Sequence, residues 1–180
     1  MAYYYFISQL PLISIDTKRS MTAAEFLSKS REYLSDKDYK ALSALSLSSV
    51  NESESAQLAE YSAFIKKVRK ITNEMRKEKL GWGKAEVDEN DFDLVERIRK
   101  AVYSLNPLEG EKEILSIYFE YFEKMRNLDP FSFSNLLLYY MLLQIAEKRD
   151  AFDEEEGRKE FDSLFSVLED TLLKDSDDEQ

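Results

Sequence analysis

The chain contains no cysteine and no histidine. Without cysteine it can form no disulfide, no thiolate zinc site and no cysteine nucleophile. Without histidine it lacks the commonest general base, the imidazole ligand of metals and the Ser-His-Asp class of hydrolase. A carboxylate-bridged dinuclear metal site in a helical bundle is excluded for the same reason, because its Glu-x-x-His pairs need histidine.

Glycine and proline are scarce as well, with four and three residues in a chain of 180. Few turn-forming residues together with many Leu, Glu, Lys and Ala favour long helices joined by short connections over a many-stranded sheet. The composition therefore predicts an all-α protein, an irregular bundle of six or seven helices. We expect a single helical domain over residues 1–174. A disordered acidic tail is predicted over residues 175–180, which include no apolar side chain.

The most hydrophobic stretch of the chain spans residues 131–146. Within it, Leu136 to Ala146 contain only one polar residue, Gln144. A helix that is apolar on every face has to be covered on every side. Polar residues flank this run, and crossing a bilayer takes about 20 mainly apolar residues. We therefore predict a buried core helix without direct membrane insertion, and its innermost residues should be Leu138, Leu142 and Ile145.

An aromatic segment, Tyr3 to Ile7, lies near the N-terminus. Aromatic and branched side chains favour an extended conformation, so a short extended segment packed against helices is expected here. Its side chains, Tyr3 and Tyr5 among them, are predicted either to fill the core or to form an aromatic strip that docks a partner. The segment has no basic region of the kind that opens a secretory signal, which predicts a cytoplasmic protein.

Several helix starts can be recognised from their capping residues. Thr22 followed three residues later by Glu25 has the pattern of a capping box. The pair Asn106-Pro107 is typical of a helix start with proline in the first turn. Asn90 is predicted to cap a further helix, with an inner face of Leu94 or Val95, Ile98, Val102 and Leu105. Residues 46–55, rich in serine, are predicted to be a loop.

The longest helix is predicted from about residue 56 to residue 79, where apolar residues keep a three-four spacing. Lys66 to Lys84 include eight basic and two acidic residues, a local charge of +6 in a chain of −11. This basic face either meets acidic neighbours within the molecule or contacts an acidic partner. The overall negative charge and the lack of interleaved aromatic residues disfavour nucleic acid as that partner. The candidate contact residues are Lys66, Lys67, Arg69 and Lys70.

The sequence Gly81-Trp82-Gly83 should break this helix. Its Trp82, the only tryptophan of the chain, either lies as a lid on the core or is exposed as a binding hot spot. At the other end of the chain a last helix is predicted from about residue 153 to residue 174. Residues 147–180 carry fourteen acidic and five basic residues, and we expect this acidic end to attract the basic helix.

Carboxylates are abundant but form runs, such as Glu154 to Glu156, that suit solvent rather than a catalytic cleft. The pair of glycines around Trp82 lacks the spacing and the Ser or Thr of a nucleotide-binding loop. The sequence therefore predicts a protein that is not an enzyme, with no cofactor, no metal and no small-molecule substrate.

Two stretches carry a resemblance to a known family. Tyr3 to Pro11 is similar to the start of a bacterial family of unknown function whose genes lie within operons for V-type rotary ATPases. Leu138 to Lys148, followed by Phe152 to Gly157 and Phe161, resembles the C-terminal part of that family. The resemblance implies a subunit or assembly factor of such an ATPase, bound to ATPase subunits and peripheral to the membrane. Its counterpart would be the all-helical component, known as C or d, that seats the central rotor shaft on the membrane ring. The alternative is a free-standing helical adaptor or regulatory protein.

Overall fold

The computed structural model describes residues 2–47, 56–126 and 130–152, with the side chains of all but residues 2–3, 56–58 and 89. These ranges contain seven α-helices and no β-strand, which confirms the predicted all-α class. The chain divides into two compact units, Met1–Arg149 and Asp150–Gln180. The helices are α1 (Ala2–Ser8), α2 (Ala23–Tyr33), α3 (Asp36–Ser43), α4 (Ala56–Lys79), α5 (Phe92–Val102), α6 (Pro107–Lys124) and α7 (Phe133–Asp150).

Helix α7 is the buried helix that the sequence predicts. Twelve of its residues are buried, and Leu138, Leu142 and Ile145 are at most 1% exposed. Some of its polar side chains bind the backbone of other segments. The Tyr139 hydroxyl donates to the Pro11 carbonyl at 2.9 Å, and burial raises the pKa of this tyrosine to about 12. At the end of α7 the guanidinium of Arg149 donates to the carbonyls of Ser14, Ile15 and Thr17.

Helices α4 and α5 run parallel to each other. Lys67 of α4 pairs with Asp91 just before α5 begins, and Glu78 near the end of α4 accepts from Arg99 near the end of α5. The connection between them returns along α4, where the Glu86 amide donates to the Glu74 carboxylate at 3.3 Å. Both helices therefore end on the same side of the bundle.

Helix α6 runs antiparallel to both, since its early residues lie near the ends of α4 and α5. Gly110 touches α5: a Cβ at this position would lie 2.3 Å from the Ala101 carbonyl oxygen. Further along, the ring of Tyr121 stacks on Phe64 with 3.4 Å between centroids. The glycine lets the α5 and α6 backbones approach closely, so that aromatic side chains on α6 can fill the space against α4.

The predicted apolar stripe of α4 is buried, and so is an aromatic stripe on α6. On α4, Tyr61, Ile65, Val68 and Met75 are at most 2% exposed. On α6 the aromatic stripe is largely buried too, with Phe122 fully so. The stripe of α5 was predicted correctly at Val95 and Ile98, and Ala101 is buried with them.

The predicted caps are confirmed at two helices and wrong at a third. Both hydrogen bonds of the capping box at Thr22 are present, and the Asn106 side chain accepts from the Leu108 amide. Asn90, however, does not cap α5. It lies in a single 3₁₀ turn, Glu89–Asp91, capped by Asp88, whose side chain accepts from the Asn90 amide. The cap is therefore Asp88, two residues before the predicted Asn90. Its carboxylate binds the backbone of the next residues, so the chain forms the 3₁₀ turn before α5 begins.

The N-terminal aromatic segment was predicted to be extended, and that prediction is wrong because α1 covers it. The helix buries Phe6, whose ring lies 5.0 Å from Tyr33 and 5.7 Å from Phe26 on α2. Packing against a helical neighbour thus outweighs the preference of aromatic residues for strands, a preference that depends strongly on context. Pro11 follows shortly after α1 and has a backbone that disfavours its continuation.

The structure also differs from the prediction at Leu105, and some predicted segments lie outside the described residues. Leu105 was predicted to face the core, but it is 103% exposed, because α5 ends at Val102 and the chain turns there. The predicted loop after Leu47, the last helix from residue 153 and the tail at 175–180 lie outside the described residues, apart from Ser46 and Leu47. The expected attraction between the acidic end and α4 falls there too.

Candidate partner-binding surface

Helix α4 ends in a Schellman motif. The Gly81 amide donates to the Glu78 carbonyl, and the Trp82 amide donates to the Lys77 carbonyl, both at 3.0 Å. Gly81 has a φ of 77°, in the left-handed region that glycine adopts without steric cost. In such motifs the residue after the glycine often packs on an apolar side chain of the last turn, but that turn offers Trp82 only Lys77 and its basic neighbour Arg76.

Trp82 is consequently 76% exposed. The prediction that it forms a lid on the core is wrong, and the alternative, an exposed aromatic residue between two glycines, is what the structure has. Gly83, on its other side, also has a positive φ, 130°. The backbone around the indole is thus held by conformations that favour glycine, while the ring itself faces solvent.

The end of α5 lies beside the end of α4. Lys79 Nζ donates to the Val102 carbonyl at 2.6 Å, and the same ammonium lies 5.9 Å from the centroid of the Tyr103 ring. The Tyr103 hydroxyl is 3.4 Å from the carboxylate of Glu78. The residues that follow each helix therefore occupy one end of the bundle.

Four large apolar side chains at this end are exposed, and we call them the tip surface. Fully burying one such side chain stabilises a protein by about 1.5–3 kcal/mol, and this stabilisation is largely missing here. Contiguous exposed apolar groups with a polar rim are typical of surfaces that bind other proteins. The tip surface consists of Leu80, Trp82, Tyr103 and Leu105, with exposed fractions of 61%, 76%, 44% and 103%.

A cavity of about 260 Å³ adjoins the tip surface between α4, α5 and α6. Its apolar lining includes Leu80, Val102 and Ile114, and its charged lining is Arg76, Lys79 and Glu111. Such a cavity can accept one apolar side chain from a partner, with basic groups close by for an acidic neighbour of that side chain.

The predicted contact residues on α4 fall into two pairs. Lys67 is bound to the Asp91 carboxylate at 2.6 Å, and the Arg69 guanidinium donates to the Leu47 carbonyl. These two side chains therefore hold the fold together. Lys66 and Lys70 are exposed, and neither forms an ion pair with any residue in the described ranges.

Acidic neighbours within the molecule meet other parts of the basic face, as the first of the two interpretations predicted. Arg76 pairs with Glu111 of α6, and Lys77 pairs with Glu74 at 2.6 Å. The basic face is therefore partly neutralised inside the fold, and its exposed lysines Lys66, Lys70 and Lys84 form no ion pair with a residue in the described ranges.

The candidate contact residues near the N-terminus, Tyr3 and Tyr5, both belong to α1. The Tyr5 side chain is 59% exposed, with its ring 6.1 Å from that of Tyr33. The side chain of Tyr3 lies outside the described part of the chain. Tyr4, which the sequence did not single out, is 61% exposed and stacks against Phe131 with 4.1 Å between centroids.

Each shifted carboxylate pKa in the described ranges is caused mainly by a hydrogen bond that belongs to the fold. A backbone hydrogen bond at the Thr22 cap lowers the pKa of Glu25, and the side-chain hydrogen bond from Lys77 lowers that of Glu74. The side-chain hydrogen bond from Arg97 lowers the pKa of Glu120. Over the described ranges, no three His, Cys, Asp or Glu side chains are placed to hold a metal ion. The arrangement at the tip surface is suited to binding rather than to proton transfer.

No helix in the described ranges combines the length and the hydropathy that crossing a membrane requires. Compared with models of known protein families, the chain gives no match. Neither the curated protein sequences nor the solved structures include one that is significantly similar to it.

Proposed function

We propose that this protein is a non-catalytic binding protein that uses the tip surface to hold an acidic protein partner. The observation that carries the proposal is the exposure of Trp82, two residues after Leu80, which lines the apolar cavity between α4, α5 and α6. Tryptophan and tyrosine are among the residues most enriched in the small set that dominates binding energy at protein interfaces. Here both types lie at one end of a rigid pair of helices.

The charge around the tip surface supports an acidic partner. The described lining of the cavity includes Arg76 and Lys79 with one carboxylate, Glu111, a net charge of +1, and Lys84 is exposed shortly after Trp82. On α4, Lys66 and Lys70 add positive charge without internal ion pairs among the described residues. In a chain of net charge −11, such local positive charge attracts an acidic surface and repels a basic one, which speeds and orients association.

The partner that we propose is a component of a V-type rotary ATPase. Support for this choice comes from the resemblance of Tyr3 to Pro11 and of Leu138 to Lys148 to the family encoded beside such ATPases. In this proposal the protein is a subunit or assembly factor at the central stalk, works in the cytoplasm and reaches the membrane only through the ATPase. A free-standing adaptor would use the same surface with a different partner.

Affinity capture from native membranes tests the proposal. The tagged protein and two variants, Trp82→Ala and Phe92→Ala, are compared by quantitative mass spectrometry. Phe92 is a matched control, because it is a large aromatic residue that is 71% exposed at the opposite end of α5. Loss of a hot-spot aromatic typically weakens binding by about 2 kcal/mol or more, which is about 30-fold.

We expect the native protein and Phe92→Ala to recover ATPase subunits, and Trp82→Ala to lose them. Recovery of a different protein in the same Trp82-dependent manner would support the adaptor and reject the ATPase. Equal recovery by all three proteins would show that the tip surface is not the binding site.

A further inference from the structure

A second cavity, which shares Arg76, Glu111 and Ile114 with the cavity at the tip surface, lies between α4, α6 and the end of α7. Its volume is about 230 Å³. Three cationic side chains line it, two from α4 and one from α7: Arg69, Arg76 and Lys148. Glu111 of α6 is the only carboxylate among its described lining residues. The described lining therefore has a net charge of +2, from three cations and one carboxylate, in a strongly acidic protein.

Two of the cations are held in place by the fold. Arg69 donates to the Leu47 carbonyl and interacts with the hydroxyl of Tyr118. Burial raises the pKa of this tyrosine, and the charge of Arg69 opposes that rise. Arg76 is paired with Glu111. Arginine side chains fixed in this way lose little conformational entropy when they bind a ligand.

The third cation is Lys148, near the end of α7. Lys148 is exposed and forms no ion pair with another residue in the described ranges. It is nevertheless positioned at the same cavity as two arginines, although like charges repel each other. An anion in the cavity would remove this repulsion and accept hydrogen bonds from all three side chains.

We propose that this cavity binds a small oxyanion of the size and charge of inorganic phosphate. Guanidinium and ammonium groups are the preferred donors to phosphate oxygens, and Asn73 and Tyr118, which also line the cavity, add neutral hydrogen-bonding groups. A volume of about 230 Å³ is below the roughly 300 Å³ at which pockets for larger organic ligands begin. This space suits an ion of the size of phosphate better than a larger organic ligand.

Isothermal titration of the full chain with sodium phosphate tests the proposal, with sodium chloride at equal ionic strength as the blank. We expect saturable binding to the native protein. Lys148→Gln should weaken it about 10- to 100-fold, the usual effect of losing one hydrogen bond to a charged group. Lys37→Gln is the matched control, because it removes an exposed lysine of α3 that does not line the cavity, and it should leave the affinity unchanged.

Glu111→Gln provides a second test, in which phosphate affinity should change in the direction opposite to that caused by Lys148→Gln. It removes the only carboxylate from the described lining and releases Arg76, so phosphate affinity should rise. A merely structural role for these residues predicts no such gain. The proposal is overturned if phosphate gives no saturable signal, if Lys148→Gln and Lys37→Gln behave alike, or if Glu111→Gln fails to bind more tightly.

Discussion

The side-chain amide of Gln144, in the middle of the most hydrophobic helix, is hydrogen-bonded to the backbone at Leu47. Its Oε1 accepts from the Leu47 amide at 2.9 Å, and its Nε2 donates to the Leu45 carbonyl at 3.2 Å. The single polar residue between Leu136 and Ala146 is thus explained. It fixes the connection after α3 to the core helix, and Arg69 holds the same connection through the Leu47 carbonyl.

Gln144→Leu should therefore destabilise the protein despite the apolar surroundings. The substitution leaves a backbone amide and a carbonyl without their partners, which typically costs about 1–3 kcal/mol. The free energy of unfolding measured by urea titration checks this. Gln9→Leu, a change at an exposed glutamine, should alter it by less than about 0.5 kcal/mol. Equal stability of Gln144→Leu and the native protein would contradict the role assigned to Gln144.

The main helices were predictable because their hydrophobic patterns leave few choices. The three-four spacing of α4 and the continuous apolar run of α7 each define a face that has to be buried, and the structure buries both. Capping signals such as Thr22 with Glu25 are local, so both hydrogen-bonding partners can be recognised within a few residues of the sequence. Long periodic segments and local caps are thus accessible without knowledge of the tertiary structure.

The N-terminal helix and the tip surface depend on partners that are distant in sequence. Phe6 is buried because α2 provides Phe26 and Tyr33, and no local signal in Tyr3 to Ile7 indicates this. Trp82 was recognised as a candidate, but its exposure follows from the Schellman turn. Tyr103 and Leu105 join it only because α5 ends beside α4, which a periodicity argument cannot show.

The burial of α7 predicts a large effect for Leu142→Ala. Leu142 is 1% exposed, and removing a buried leucine side chain usually costs about 2–5 kcal/mol. Leu105→Ala is the control, because Leu105 is fully exposed and its truncation should change stability by less than about 0.5 kcal/mol. Urea unfolding of both variants provides the comparison. Similar stability losses in the two would show that α7 is not the centre of the core.

The basic face of α4 predicts two different outcomes for charge reversal. Lys66→Glu with Lys70→Glu should leave stability within about 0.5 kcal/mol of the native value, while partner binding weakens and becomes less sensitive to salt. Lys67→Glu with Arg69→Glu should lower stability, because it removes the contacts to Asp91 and to the Leu47 carbonyl. Thermal unfolding and binding at two salt concentrations separate these effects. Equal stabilities of the two double variants would show that Lys67 and Arg69 do not stabilise the fold more than Lys66 and Lys70 do.

The ion pairs of Arg97 predict a dependence of stability on pH. Arg97 lies 2.7 Å from a Glu113 oxygen and 2.8 Å from a Glu120 oxygen, and its hydrogen bond lowers the pKa of Glu120 below the ordinary 4.5. A carboxyl with a lowered pKa contributes stability above its unfolded pKa and loses it as the pH falls through the folded pKa. Arg97→Gln should therefore reduce stability by about 0.5–1 kcal/mol at pH 7, and the difference should shrink below about pH 4.5.

Urea unfolding across this pH range measures the difference. Lys100→Gln serves as the control, because Lys100 is 76% exposed and 3.9 Å from Glu96, too weak a pair for a measurable effect. If the stability difference caused by Arg97→Gln stays constant from pH 7 to acid, Glu120 does not depend on Arg97.

The most direct test of the tip surface is a photo-crosslinking amino acid placed at position 82 or at position 92 of the full-length protein in its native cells. Position 82 follows the end of α4 and position 92 begins α5, and both hold exposed aromatic residues, so they differ in location rather than in chemistry. If the tip surface binds the ATPase, position 82 crosslinks to an acidic surface of a V-type ATPase subunit, and position 92 gives no crosslink to that subunit. Crosslinks to such a subunit from position 92 alone, or none from position 82 to any protein, would contradict it.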